Sequence, residues 1–263
     1  MEINKIYNES NLDTMAKMPD CFIDLTITSP PYDGLRNYNG YSFPFEEIAK
    51  ELYRVTKQGG VVVWVVGDQT IDGSETGTSF KQALYFMQCG FKLHDTMIYA
   101  RYGLPQNNKR YEQGFEYMFV LSKGCPNTFN AIRQQRKYID LREPKHRVKD
   151  NKIKGLKNKP REFEDTTVIY NIWRYAIGGG NVTKDKCAYE HPAIFPELLA
   201  YDHIKTWTNE NDLVYDCFMG SGTTAKVAIV ANRKYIGSEI SEEYCKIIDK
   251  RLEPMLNNLF TNL

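Results

Sequence analysis

Long hydrophobic runs are missing from this chain. The longest purely apolar stretch, Val61 to Val66, is six residues, against the roughly 20 that a membrane-spanning helix needs, so no transmembrane segment is expected. The opening residues, Met1-Glu2-Ile3-Asn4-Lys5, show no apolar segment behind a basic one; no secretory signal is expected, and the cytoplasm is the expected location. Cys-x-x-Cys pairs are absent too. The six cysteines (Cys21, Cys89, Cys125, Cys187, Cys217 and Cys245) are scattered, which reads as reduced, mostly buried thiols rather than a disulfide framework. Histidine is scarce: His94, His146, His191 and His203 form no ligand spacing. Cys187 with His191 offers two ligands where a structural zinc site takes four, so no metal is expected. No sign of charge dominates, with 34 Lys and Arg against 33 Asp and Glu. Bulk charge therefore predicts no partner, and only its distribution can.

What is present is ordinary globular material: 263 residues, 42% hydrophobic and 25% charged, which excludes a disordered, collagen-like or coiled-coil chain. Strand and helix signals alternate through the first 120 residues. Phe22 to Ile27 reads as a β-branched strand and Val61 to Val66 as a buried one. Between them, Phe45, Ile48, Leu52 and Val55 recur at helical spacing, with Pro44 suited to the first turn and Gly59-Gly60 to the stop. Ser79 to Gln88 reads as a helix presenting Phe80, Ala83, Leu84 and Met87 on one side, and Phe115 to Leu121 as another strand. After Gly178-Gly179-Gly180 the rhythm resumes: helix from Pro196 to Trp207, strand Leu213 to Asp216, a tight Gly220-Ser221-Gly222 turn, helix Thr223 to Ala231, strand Lys234 to Gly237, helix Glu242 to Leu252. Such alternation implies an α/β fold, a parallel sheet with helices on both faces.

Between these halves the charge is concentrated. Arg133 to Arg161 holds twelve Lys or Arg, among them Arg133, Arg136, Lys137, Arg142, Lys145 and Arg147, against Asp140, Glu143 and Asp150, a formal +9. With few apolar residues it builds little core. Two readings stand side by side: a solvated surface insertion, or a surface that neutralises phosphates.

Two constellations carry chemistry. In Asp216-Cys217-Phe218-Met219-Gly220-Ser221-Gly222-Thr223-Thr224, glycines let a ligand approach the backbone and the following helix start offers free N–H groups. Glu239, closing the next strand, suits ribose hydroxyls. An ordinary glycine turn is the plainer reading. A P-loop is excluded because the Gly-Lys-Ser/Thr ending is absent, and Ser221 is not in a nucleophile elbow. The second constellation, Thr28-Ser29-Pro30-Pro31-Tyr32, follows a strand. Its prolines stiffen an extended turn and leave carbonyls as acceptors, while Ser29 adds a hydroxyl and Tyr32 a flat ring. That set suits a planar base with an exocyclic amine; a proline-rich strand terminator is the plainer alternative.

Together these stretches resemble the amino-group DNA methyltransferases, which use S-adenosylmethionine. Thr28 to Tyr32 is similar to their catalytic motif, Asp216 to Thr224 to their cofactor loop, and His191 to Leu199 to the segment preceding it. Lys57 to Asp68 resembles a further core segment. The order, catalytic motif, basic insertion, then cofactor loop, matches the circularly permuted β class. The resemblance implies a Rossmann-like methyltransferase fold with a mixed, mostly parallel seven-stranded sheet. It implies one catalytic domain over residues 1–263, with 125–170 as target-recognition insertion. By position it assigns Ser29, Pro30, Pro31 and Tyr32 to catalysis. It assigns Phe195, Pro196, Asp216, Phe218, Gly220, Ser221, Gly222, Thr223 and Glu239 to S-adenosylmethionine, and Arg133, Arg136, Lys137, Arg142, Lys145 and Arg147 to DNA. Glu9 stands where the family often has an Asp near the adenine. Ser before Pro-Pro-Tyr goes with cytosine N4 in the family, and Asp with adenine N6. The expected activity is thus site-specific transfer of a methyl group to N4 of a flipped-out cytosine in double-stranded DNA. The alternatives are an adenine N6 enzyme and a non-catalytic nucleic-acid binder on the same fold. Cytosine C5 chemistry fits poorly, because it needs a cysteine nucleophile, typically in a Pro-Cys pair, and Cys125-Pro126 has the reverse order. A cognate restriction endonuclease, and a monomer or a homodimer, are all compatible with the sequence.

Overall fold

Val61 to Val66 is apolar on both faces because it lies at the centre of a sheet covered on both sides, all six residues being buried. The structure is a computed structural model and describes residues 1–31, 43–104, 109–135, 165–178, 180 and 182–261. In chain order the elements are β1 (Lys5–Tyr7), α1 (Asn11–Ala16), β2 (Ile23–Thr28), α2 (Phe45–Val55), β3 (Thr56–Val66), a small hairpin of β4 (Thr70–Ile71) and β5 (Ser74–Glu75), and α3 (Thr78–Gln88). There follow β6 (Lys92–Leu104), β7 (Gln113–Ser122), β8 (Arg133–Gln135), β9 (Thr166–Val168), β10 (Ile172–Arg174), a 3-10 turn over Lys186–Glu190, α4 (Glu197–Trp207), β11 (Leu213–Asp216), α5 (Thr223–Val230), β12 (Lys234–Ser238) and α6 (Glu242–Thr261). By contacts the chain divides into two units, residues 131–170 and the remainder. In the smaller unit β8 pairs antiparallel with β9.

The larger unit holds an eight-stranded sheet in the order β1-β12-β11-β2-β3-β7-β6-β10. Only β7 opposes the common direction, pairing antiparallel with both β3 and β6. The sheet is therefore mixed and mostly parallel. It counts eight strands where seven were expected, and its two edge strands are only three residues long. The reversal at β7 follows from chain length: β6 and β7 are separated by residues 105–112, too few for the dozen-residue crossover that parallel pairing requires.

The order also contains a switch point. From β2 the chain moves outward through α2 to β3; from β11 it moves the other way through α5 to β12. In open α/β sheets the crevice beyond the strand ends at such a reversal is where ligands bind. Here it falls between β2 and β11, which are direct neighbours through Val214–Leu25 and Tyr215–Thr26.

The core on one sheet face gathers around Trp64, whose indole N–H donates to Oε1 of Gln82 at 2.8 Å and whose ring meets Phe86 edge-on at 5.0 Å. This contact corrects the expected orientation of α3. The buried residues of that helix are Ser79, Gln82, Ala83 and Phe86, while Phe80, Leu84 and Met87 are exposed. A hydrogen-bonded glutamine and a phenylalanine on the tryptophan won the inward face over a looser apolar stripe. The cysteines also differ from expectation. All six are free, but only Cys217 is buried, and Cys21 and Cys125 are exposed. No helix among the described residues is long and apolar enough to cross a membrane.

Candidate active site

β2 ends at Thr28 and passes directly into Ser29-Pro30-Pro31. β11 ends at Asp216, and the chain then turns through Cys217 to Gly222 into α5. Asp216 joins the two. Its Oδ1 accepts from the Thr28 hydroxyl at 2.6 Å and from the Phe218 amide at 3.0 Å, and its Oδ2 accepts from the Thr224 hydroxyl at 2.6 Å. Burial raises the Asp216 pKa above the ordinary carboxylate value, and these three donors oppose the rise. The carboxylate is thus a structural tie whose acceptor capacity is largely used within the protein. Asn11 adds a second tie, donating to the Cys217 carbonyl at 3.2 Å.

The turn needs its glycines for different reasons. Gly220 has φ +55°, and a Cβ there would meet His191 Nε2 at 3.1 Å. Its amide donates to Glu239 Oε2 at 2.8 Å, while Glu239 Oε1 accepts from the Ser241 amide at 2.9 Å. Burial raises the Glu239 pKa, against the pull of these amides. Gly222 caps α5 at φ +82° and abuts Ile248, where a Cβ would lie 3.0 Å from a methyl group.

One cavity of about 850 Å³ runs along this edge of the sheet. Ser29, Pro30 and Pro31 line it from β2, Phe218, Gly220, Ser221 and Thr223 from the turn after β11, and Glu239 from the end of β12. Phe195 and Pro196, just before α4, line it as well. Asp216 reaches its wall, whereas Gly222 is not on it. Glu9 lines it too, with its carboxylate paired to Lys17 and accepting from Thr14 Oγ1 at 3.0 Å. Tyr32 lies outside the described residues, as do Arg136, Lys137, Arg142, Lys145 and Arg147. Arg133 is described, on β8, with its Nε donating to Thr166 Oγ1 at 2.8 Å across the β8–β9 pair.

Several lining residues were not singled out by sequence reasoning. Tyr99, Arg101 and Glu116 come from β6 and β7, and Tyr189 and Tyr244 from the segment before α4 and from α6. None belongs to a motif. The only signal for the first three is strand register, which places Tyr99 opposite Glu116.

Behind the turn lies an ionic cluster. The fully buried Arg251 side chain donates to Asp185 Oδ2 at 2.7 Å, to Glu197 Oε1 at 2.5 Å and to the Ser221 carbonyl at 2.9 Å. Lys226 pairs with the same two carboxylates at 2.7 and 2.8 Å. Burial pushes both acids up, but the two cations outweigh it, and both pKa values end below the ordinary range.

Comparison with known proteins is consistent with this geometry. Residues 23–250 match the model of the N6/N4 DNA methylase family. The orphan methyltransferase M.BamHII of Bacillus amyloliquefaciens is 59% identical over 239 residues, covering 89% of this chain and 90% of that protein. Among solved structures, the cytosine-N4-specific PvuII DNA methyltransferase superposes with a TM-score of 0.67 at 20% identity, over 91% of this chain and 83% of that one. The M1.HpyAVI–SAM complex superposes with a TM-score of 0.60 at 22% identity, over 94% of this chain and 99% of that one.

Proposed function

The chain belongs to the N6/N4 DNA methylase family, and we propose that within it the protein transfers a methyl group from S-adenosylmethionine to the exocyclic N4 of a flipped-out cytosine in double-stranded DNA. The observation that carries this reading is the shared cavity: Ser29-Pro30-Pro31 and the Gly220–Thr223 turn line it together and are tied behind it through Thr28 and Asp216.

The residues fit the cofactor. A carboxylate, Glu239, stands at the β12 end with its oxygens fixed by two backbone amides, ready for ribose hydroxyls. Gly220 lets the turn lie against the His191 ring, where a Cβ would crowd it, and line the cavity with backbone alone. S-adenosylmethionine supplies a methyl group already activated on a sulfonium. The protein's work is then to hold the accepting nitrogen in line at about 3–3.5 Å. Ser29 and the Pro30 carbonyl accept hydrogen bonds from the amine, favouring a pyramidal nitrogen whose lone pair faces the methyl group. A closed, dry site strengthens those bonds. No strong base is needed, because proton loss follows transfer. Tyr32 receives the face of the base, which must leave the duplex to be reached. The basic insertion within 125–170, Arg133, Arg136, Lys137, Arg142, Lys145 and Arg147 included, grips the phosphates.

The test is to incubate the protein with labelled S-adenosylmethionine and unmodified plasmid DNA, digest the DNA to nucleosides and identify the product by mass spectrometry. N4-methylcytosine is expected. N6-methyladenine would move the reading to the adenine alternative, and cofactor binding without label in DNA across varied sequences would favour a non-catalytic binder.

A further inference from the structure

The cavity does not stop at Ser29. It continues under the other half of the sheet, where Val65, Tyr99, Arg101 and Glu116 line it. Strands lie about 4.8 Å apart, so β7 and β6, two and three strands from β2 in the order β2-β3-β7-β6, stand roughly 10–15 Å from it. They lie on the side away from β11 and β12. The cofactor turn and the Arg101–Glu116 wall are therefore at opposite ends of one cavity, with Ser29-Pro30-Pro31 between them.

Arg101 is unusual within that wall. Its side chain is 15% exposed and Glu116's is 19%, and Arg101 Nε lies 3.3 Å from Glu116 Oε1. This is an ion pair whose geometry is too oblique for a hydrogen bond, and among the described residues Arg101 Nε has no hydrogen-bond partner. Nε itself is closed to a ligand, so the guanidinium would meet an acceptor in the cavity through its terminal nitrogens, which carry four of its five N–H donors.

Resting on the cytosine N4 reading above, we infer that Arg101 selects the target base by donating to N3 and O2 of the flipped cytosine. With the amine held at Ser29 and Pro30, the rest of the pairing edge is directed away from the cofactor, toward β7 and β6. Next to its amine cytosine presents two adjacent acceptors, N3 and O2, which match the planar fork of a guanidinium. Adenine presents N1 and then a C–H, a single acceptor. A site built to hydrogen-bond a group rejects the analogue lacking it, because its own donors are stranded. Glu116 supplies the counter-charge that lets a guanidinium sit in this wall.

The test is an atom-by-residue cycle. Once the methylated site has been mapped, two duplexes are compared under single turnover, one with the natural target cytosine and one with 3-deazacytosine there, which lacks the N3 acceptor. Wild type is expected to lose roughly ten- to hundredfold on the 3-deaza duplex. Arg101→Met should lose a similar factor on the natural duplex and little more on the 3-deaza duplex, with cofactor binding by calorimetry unchanged. Arg101→Lys, which keeps the charge and loses the fork, should show the same missing coupling and stands in if the Met variant does not fold. Equal losses by Arg101→Met on both duplexes, with a flatter salt dependence of DNA binding, would mean a phosphate contact and overturn the inference. So would a wild type indifferent to the 3-deaza substitution. N6-methyladenine in the nucleoside digest is a different failure: it removes the cytosine reading itself, whereas additive losses in an enzyme that makes N4-methylcytosine remove only the role of Arg101.

Discussion

The Thr28 hydroxyl donates to Asp216 Oδ1 at 2.6 Å, although the two residues are 188 positions apart in the chain. This bond ties the end of β2 to the turn after β11. Thr28→Val preserves shape and removes the donor. It should cost about 1–3 kcal/mol, the penalty of a buried acceptor losing its partner, and should slow methyl transfer by loosening the two loops relative to each other. Urea unfolding and single-turnover rates measure both, and wild-type values in each would disprove the coupling.

Gly220→Ala places a Cβ at φ +55° and 3.1 Å from His191 Nε2. The left-handed conformation alone costs roughly 1–2 kcal/mol for a residue with a Cβ. S-adenosylmethionine binding, read by calorimetry, should weaken more than tenfold, because the turn that displaces the new methyl also displaces the amide bound to Glu239. Undiminished affinity would remove Gly220 from the cofactor site.

In the proposed mechanism Ser29→Ala removes one acceptor for the amine, just beyond the end of β2. The rate at saturating cofactor and DNA should drop by about ten- to a hundredfold, the loss of one hydrogen bond to a group that becomes charged during transfer, with the protein still folded. An unaltered rate would refute the assignment.

Acid should destabilise the protein through Asp185 and Glu197. Their folded-state pKa values are depressed, so their stabilising contribution is complete above the unfolded carboxylate values near 4 and is lost as pH falls through the folded ones. Arg251→Met takes away the fully buried partner and should cost about 3 kcal/mol at pH 7. It should also make melting temperature less dependent on pH between 3 and 5, since the two acids then titrate nearer their ordinary values. Parallel curves for wild type and variant would contradict this.

DNA affinity should fall steeply with salt. Each phosphate neutralised contributes about −0.9 to the slope of log affinity against log salt, so replacing Lys145 or Arg147 by Gln should flatten it by about one unit for a phosphate contact. Filter binding at several salt concentrations gives the slope directly, and an unchanged slope in both variants would take those residues off the phosphate backbone.

Consecutive residues were enough for much of this. The strand preceding Ser29, the Gly220–Gly222 turn, the strand Leu213–Asp216 and helices α2, α4 and α5 are legible because each rests on local chemistry: β-branched runs, helical spacing, caps and turns. Long-range pairing was not legible. In β6 the apolar run, Met97 to Ala100, is only four residues long among charged and polar neighbours, and pairing with β7 and β10 completes the strand. The inward face of α3 was settled by Gln82 reaching Trp64, which no periodicity reveals. Likewise, the sequence contains Thr28, Asp216, Arg101 and Glu116 without connecting them. Sheet order sets Thr28 against Asp216, and the antiparallel register of β6 with β7 brings Arg101 to Glu116, because hydrogen-bonded strands take their neighbours from the whole chain rather than from the residues next in line.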